Sequence, residues 1–230
     1  MTNIDPFLTV IPARGGSKGI IRKNLQMVNG KTLVERSVVA ALKIPNNRVV
    51  VSTDDSEIAE HLTKYKIELF KRSQENASDT SSSESVVLEV LNSLKYSSGL
   101  VTLLQATSPF IDIEAWEKSL SHLKSNIAVH SMFSATNKNN FSWRFNEFWN
   151  PINHDKNKRT LRQNKPAEAT ETGSFYIFRA EKFLEDKTRF CGVTVPAFTK
   201  IWANFDIDDI EDLDFCRDLS KILDNPPYLQ

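Results

Sequence analysis

The chain reads as a layered α/β protein built on a mainly parallel sheet between helices, and three observations carry that expectation. Short apolar runs alternate with amphipathic helical stretches along residues 1–130. These runs are apolar without alternation, as strands covered on both faces are. Several of them lead into loops rich in Gly, Ser, Asp or Gln, beyond the carboxyl ends of strands, where ligands bind in such sheets.

The elements follow in order. Phe7–Ile11 is the first strand, and Thr32–Leu42 has helical spacing of apolar residues with Thr32 as its cap after Gly30. Arg48–Ser52 is a β-branched strand, Ser56–Tyr65 a short helix and Ile67–Phe70 a short strand. Ser83–Leu94 is a helix whose Val86, Val87, Val90, Leu91 and Leu94 form one stripe. Leu100–Leu104 is a buried strand, Ile113–Leu123 a helix and Ile127–Met132 a further strand. Near the C-terminus, Gly173–Phe178, Val193–Val195 and Ile201–Phe205 read as strands. Asp208–Leu223 closes the chain as a helix with acids in its first turn, where the helix dipole favours them.

Residues 133–172 break the pattern. They are rich in Asn, Lys, Arg, Trp and Phe and show little periodicity. A structureless loop of that length inside a compact domain is unusual. Aromatics so dense in a polar stretch suggest an arm that packs on something else, such as a second subunit. The division expected is therefore an α/β domain from 1–132 and 173–230, with 133–172 as the arm.

Bulk properties exclude several function classes. At 230 residues the chain is about one domain and long enough for a full core. With 29 basic and 29 acidic residues it is no polyelectrolyte, which argues against nucleic-acid binding by bulk charge. No apolar stretch approaches a membrane span, and no secretory signal is visible at the N-terminus. Cys191 and Cys216 lack metal-site spacing and read as reduced thiols of a cytoplasmic protein.

Six constellations could carry chemistry. The first is the basic, glycine-rich loop after the first strand, Ala13–Asn24. Arg14, Lys18, Arg22 and Lys23 gathered at one point suit a polyphosphate. Gly15, Gly16 and Gly19 are free to take positive φ, and successive N–H groups in such a turn cradle an anion. The loop has neither a Walker pattern nor a dinucleotide fingerprint, and a solvated basic turn is the ordinary alternative. The second is Asp206-Ile207-Asp208: on a strand both carboxylates face one side and can hold a divalent cation, unless Asp208 and Asp209 simply cap the last helix. Third, Ser52–Asp55 ends a strand, with Thr53 or Asp54 as a helix cap or a ligand contact. Fourth, Arg72 precedes a hydroxyl-rich run, Ser78–Ser83, whose side chains either bind a base or sugar or cap a helix. Fifth, Gln105 follows a buried strand and can read a ring edge with its amide. Sixth, Arg159–Gln163 holds an arginine able to clamp a carboxylate, or is an exposed basic turn. His61, His122, His130 and His154 are scattered and form no nucleophilic arrangement.

In order, these segments resemble the acylneuraminate cytidylyltransferases, the CMP-sialic acid synthetases. The motifs are Ile-Pro-Ala-Arg-Gly-Gly-Ser-Lys-Gly-x-x-x-Lys-Asn at 11–24, Val-Ser-Thr-Asp-Asp at 51–55, and Arg72 with Ala-Ser-Asp-Thr at 77–80. Leu-Leu-Gln-x-Thr-Ser-Pro at 103–109, Arg-Gln at 162–163, Gly-x-x-Tyr-Ile at 173–177 and Asp-x-Asp at 206–208 complete them. The chain departs from the family pattern at Ile21, where proline is common, and at Phe110-Ile111, where Leu-Arg is frequent.

The resemblance implies a Rossmann-like nucleotidyltransferase fold and a homodimer that exchanges the 133–172 arm. It implies a reaction of CTP with a nonulosonic, nine-carbon 2-keto sugar acid, in which the anomeric hydroxyl attacks the α-phosphate and pyrophosphate leaves. Neuraminate, legionaminate, pseudaminate or a relative is the acid. By the same resemblance Arg14, Ser17, Lys23, Asn24, Arg72 and Ser83 bind CTP, Gln105 and Arg162 face the sugar acid, and Asp206 and Asp208 hold Mg²⁺. Arg14 and Lys23 offset charge on the leaving pyrophosphate, and either Asp206 or the metal activates the hydroxyl. A shorter keto-deoxy sugar acid is a rival substrate, although its synthetases usually lack the Gly-Gly-Ser-Lys-Gly pattern. A catalytically silent nucleotide-binding or assembly protein is the rival class, and the retained Asp206, Asp208, Lys23 and Arg14 argue against it.

Overall fold

A computed structural model describes residues 6–17, 19–78, 80–137, 140–158, 161 and 164–223. The strands are β1 (Phe7–Pro12), β2 (Met27–Val28), β3 (Lys31–Thr32), β4 (Asn47–Thr53), β5 (Glu68–Lys71), β6 (Leu100–Leu104), β7 (Ser131–Thr136), β8 (Trp143–Phe145), β9 (Trp149–Pro151), β10 (Thr170–Arg179) and β11 (Thr194–Phe198). The helices are α1 (Leu33–Leu42), α2 (Ser56–Leu62), α3 (Ser83–Leu94), α4 (Ile113–Ser125), α5 (Ala180–Asp186) and α6 (Ile210–Leu223).

Seven strands form the main sheet in the order β11-β7-β10-β6-β1-β4-β5. The sheet is mainly parallel, as expected, with β10 alone antiparallel to its neighbours β6 and β7. The direction of β10 follows from its connection. The chain leaves the sheet at Thr136 and returns at Thr170, which pairs with Thr136, so β10 must run back the other way.

Both faces of the sheet are covered, which explains the unbroken apolar runs. On β1, Phe7 and Ile11 face a core completed by Val34, Val38, Ile58, Leu62 and Trp116 from α1, α2 and α4. Leu8 and Val10 face the other way, onto Val87, Val90 and Leu91 of α3 and Phe183 of α5. Trp116 stacks on Phe175 at 6.1 Å, and its indole N–H donates to Thr102 Oγ1 at 3.1 Å. A third cluster, with Ile20, Leu33, Phe110, Ile207 and Leu213, lies apart and binds α6 to the loop after β1. Among the described residues no helix is long and apolar enough to cross a membrane. Cys191 and Cys216 are free and buried, and burial raises both thiols to about 11.

Several boundaries differ from the sequence expectation. The strand expected at Ile127–Met132 starts at Ser131, because the chain turns after α4: the Asn126 side chain takes the Ala128 N–H and Ile127 is 84% exposed. The strand expected at Val193–Val195 runs instead from Thr194 to Phe198. Ile201–Phe205 is not a strand. Asp112 captures the Lys200 N–H at 2.9 Å, Ile201–Ala203 winds into a 3-10 turn, and Trp202 and Phe205 pack on the third cluster.

The segment that leaves the sheet spans 137–169, since Ser131–Thr136 and Thr170–Arg179 both belong to it. Its described residues have order of their own. β8 and β9 pair antiparallel, and Lys165, its ammonium almost fully buried, donates to Asn140 O at 2.7 Å and to Glu168 at 3.1 Å. His154 sits edge-on to Phe141 and Trp143. Phe145, Phe148 and Trp149 remain exposed.

Candidate active site

The loop after β1 is held open by its neighbours' carboxylates. Ala13 N–H donates to Ser52 O at 2.9 Å, and Gly15 N–H donates to Asp54 Oδ1 at 3.1 Å. The buried Asn24 amide donates to Arg14 O at 2.8 Å, which closes the loop on itself. Gly15 and Gly19 are required for room rather than for positive φ. A Cβ on Gly15 would strike the Asp55 side chain, and one on Gly19 would lie 2.7 Å from Asp208 O. The left-handed residue is Arg22, at φ 54°. Its side chain also leaves the cluster of cations expected from the sequence: it pairs with Glu57 at 2.5 Å and Asp55 at 3.6 Å. Lys18 lies outside the described residues.

Arg14, Ser17, Lys23, Asn24, Arg72 and Ser83, the six residues expected around CTP, all line one cavity of about 230 Å³. Arg72 is 6% exposed and donates to Ser52 O at 2.8 Å and Ser52 Oγ at 3.3 Å. Burial pushes its pKa down, Asp54 and Glu89 hold it up, and Arg14 pushes it down again. An arginine so placed stays positive and fixes a cation at the cavity floor. The hydroxyl run before α3 divides its work. Ser82 caps the helix through the Ser85 N–H, and Ser81 bonds Asn76 and Ser85. Ser83, the first residue of α3, lines the cavity together with Ser81 and Ser82. Capping of α2 falls to Asp55, not to Thr53 or Asp54 as the sequence suggested; Asp54 instead holds the glycine loop.

The Asp206–Asp208 segment comes from the other end of the chain and meets the cavity wall at Lys23 and Thr107, although neither carboxylate lines the cavity itself. It is a loop, not the strand expected, and is anchored by the buried Ile207, whose N–H donates to Thr107 O at 3.0 Å. Asp209 caps α6 by accepting the Asp212 N–H at 3.0 Å, so neither Asp206 nor Asp208 serves as the cap. Asp208 is exposed and pairs with Lys23 at 3.4 Å. Asp206 is largely buried and receives Ser108 Oγ at 3.5 Å. Burial raises its pKa and Asp208 adds to the rise, while Thr107 and Lys23 pull it down. Two adjacent carboxylates with one partly desolvated form a hard oxygen donor set that a divalent cation suits. No group of three His, Cys, Asp or Glu side chains able to hold a metal occurs among the described residues, so such a cation needs further oxygens from phosphate or water.

Of the two expected sugar-side residues only Gln105 is described, and it is not brought into this cavity. Gln105 directly follows β6, half-buried, with its N–H on Ser174 O at 3.1 Å, and does not line the cavity. Arg162 lies outside the described residues. Thr107 was missed by sequence reasoning although it sits in the Gln-x-Thr-Ser-Pro run. It lines the cavity, and its hydroxyl is buried beside Asp206.

A mainly parallel sheet with a basic glycine loop beyond β1 and an acid pair beside it suits a nucleotidyltransferase of Rossmann-like fold. The model of the cytidylyltransferase family matches residues 8–225, and the chain belongs to that family. It is 31% identical to a pseudaminic acid cytidylyltransferase of Campylobacter jejuni subsp. jejuni serotype O:2, over 94% of this chain and 96% of that one. It is 33% identical to N-acylneuraminate cytidylyltransferase A of Danio rerio, over 75% of this chain and 41% of the relative. The solved structure of a CMP:2-keto-3-deoxy-manno-octonic acid synthetase shares the fold, with a TM-score of 0.71, 17% identity, and 94% and 99% of the two chains covered.

Proposed function

We propose that this cytidylyltransferase joins CTP to a nonulosonic sugar acid, giving a CMP-sugar and pyrophosphate. The observation that carries the reading is the convergence of Arg14, Ser17, Lys23, Asn24, Arg72 and Ser83 on one cavity, with Lys23 bridging to Asp208. The sugar's anomeric oxygen forms a bond to the α-phosphorus while the bond from that phosphorus to the β-bridging oxygen breaks. Arg14 and Lys23 stand over the triphosphate and offset the charge on the departing pyrophosphate. Arg72 and Ser83 face the nucleoside end. Gln105 and Arg162 serve the sugar acid.

The carboxylates of Asp206 and Asp208 fit Mg²⁺, which when bound supplies Lewis-acid stabilisation of the phosphate oxygens. Asp206 is also the carboxylate placed to accept the hydroxyl proton. The exposed Phe145, Phe148 and Trp149 support a homodimer built through the 137–169 arm. The reaction belongs in the cytoplasm, where CTP is available.

Pyrophosphate release with CTP, Mg²⁺ and a panel of sugar acids tests the reading. Release is expected with at least one nine-carbon acid such as pseudaminate, N-acetylneuraminate or legionaminate. Release only with an eight-carbon keto-deoxy acid would reassign the substrate, and CTP binding without release from any acid would leave a silent nucleotide-binding protein.

A further inference from the structure

One charged network beside the cavity has no part in the chemistry above. Arg189, in the loop after α5, meets Glu84 in the first turn of α3. Its Nε donates to Glu84 Oε1 at 2.5 Å and its Nη2 to Oε2 at 3.0 Å. The guanidinium lies 4.5 Å from the centre of the Tyr176 ring on β10, and the Tyr176 hydroxyl donates to Glu171. Phe190 packs edge-on against both Tyr176 and Phe133. The arginine and glutamate side chains are only 14% and 23% exposed.

A two-pronged pair of this kind, largely withdrawn from water, fixes orientation as well as distance. The apolar stripe of α3 holds the body of the helix on the sheet through Val87, Val90 and Leu91. Its first turn carries Ser83 and Val86 to the cavity, and Glu84 stands between them. The Ser82 cap and the Ser81–Ser85 bond are local and leave the direction of that turn to be set from outside.

We infer that Arg189 is a positioning residue: through Glu84 it sets the α3 wall of the nucleotide cavity, and through Tyr176 it ties that wall to β10. The inference rests on the cavity being the CTP site. Arg189 itself touches no substrate. Its loss lets the first turn of α3 shift, so CTP binds less well while the groups that act on the α-phosphate stay in place.

Arg189→Gln, Glu84→Gln and the double variant test this by CTP binding calorimetry without sugar acid, by steady-state kinetics, and by thermal unfolding. Each single variant is expected to raise the Kd and KM for CTP about 5–20-fold with kcat within about threefold. The double variant is expected to match the worse single one, because both remove one interaction. Arg189→Lys keeps the charge without the fork and is expected to fall between wild type and Arg189→Gln. A purely structural role would lower the melting temperature and the active fraction with Kd and KM unchanged, and that result would overturn the inference while leaving the proposed function intact. A wild-type protein that binds no CTP would remove both.

Discussion

A Cβ on Gly19 would stand 2.7 Å from the Asp208 carbonyl, so two segments almost two hundred positions apart share one point of contact. Gly19→Ala must push the Asp206–Asp208 segment away from the loop. Its kcat/KM is expected to drop at least about tenfold with the melting temperature close to wild type, as read by pyrophosphate release and calorimetry. Asp208→Asn leaves the backbone alone and removes one electrostatic contact, so kcat should fall by about 10²–10³ with the fold intact by circular dichroism. The glycine loop was legible in the sequence because glycine and cationic residues are dense there. The reason for the glycines was not: they make room for the Asp55 side chain and the Asp208 carbonyl, and neither residue is a sequence neighbour. Arg22 was misjudged for the same cause, since its partners Asp55 and Glu57 arrive from α2.

At the scale of elements, α1 shows how local chemistry and packing meet. Thr32 and Glu35 form a reciprocal capping box, and Glu35 is also bonded by Tyr65 and reached by Lys64 and His61. Burial alone would raise the Glu35 pKa, but Tyr65, Lys64, the Thr32 N–H and His61 outweigh it and bring it to about 2. The folded-state value lies below that of an unfolded glutamate, about 4.3, so Glu35 stabilises the fold above that pH and loses this contribution as pH falls toward 2. Denaturant unfolding of wild type and Glu35→Gln at pH 7 and pH 3 should therefore give a smaller difference at the lower pH. At pH 7, Glu35→Ala should cost about 2 kcal/mol, or roughly 4–8 °C in melting temperature. The Thr32 cap and α3 from Ser83 to Leu94 were readable because their signals are local: a capping residue, then an apolar stripe at helical spacing. Ile201–Phe205 was misread because its apolar residues serve the third cluster, a tertiary fact with no local signature.

For the whole molecule, the open question in the sequence was the 133–172 stretch. The sheet takes its two ends, and between them Lys165 and Asn153 both bond to Glu168 while Phe148 and Trp149 face solvent. Replacing both aromatics by serine should convert the proposed dimer to monomers in sedimentation, because apolar residues exposed in a group mark an interface. An unchanged dimer would assign the subunit contact to another face. A ligand site at the carboxyl edge was legible from topology, since ligands of such sheets gather there, whereas CTP as its ligand was legible only through the family resemblance. Arg162 could be assigned only through the family resemblance, as nothing near it in sequence fixes where it points.

The proposed reaction requires that the glycine loop and the Asp206–Asp208 segment, joined at Lys23 and Asp208, act as one nucleotidyl-transfer centre. The most direct test is the pyrophosphate-release rate, with CTP, Mg²⁺ and a nine-carbon sugar acid, of wild type, Lys23→Met, Asp208→Asn and the double variant. One shared centre gives single losses of about 10²–10³ and a double loss well short of their product. A wild-type rate in either single variant, or losses that multiply in full, would contradict it.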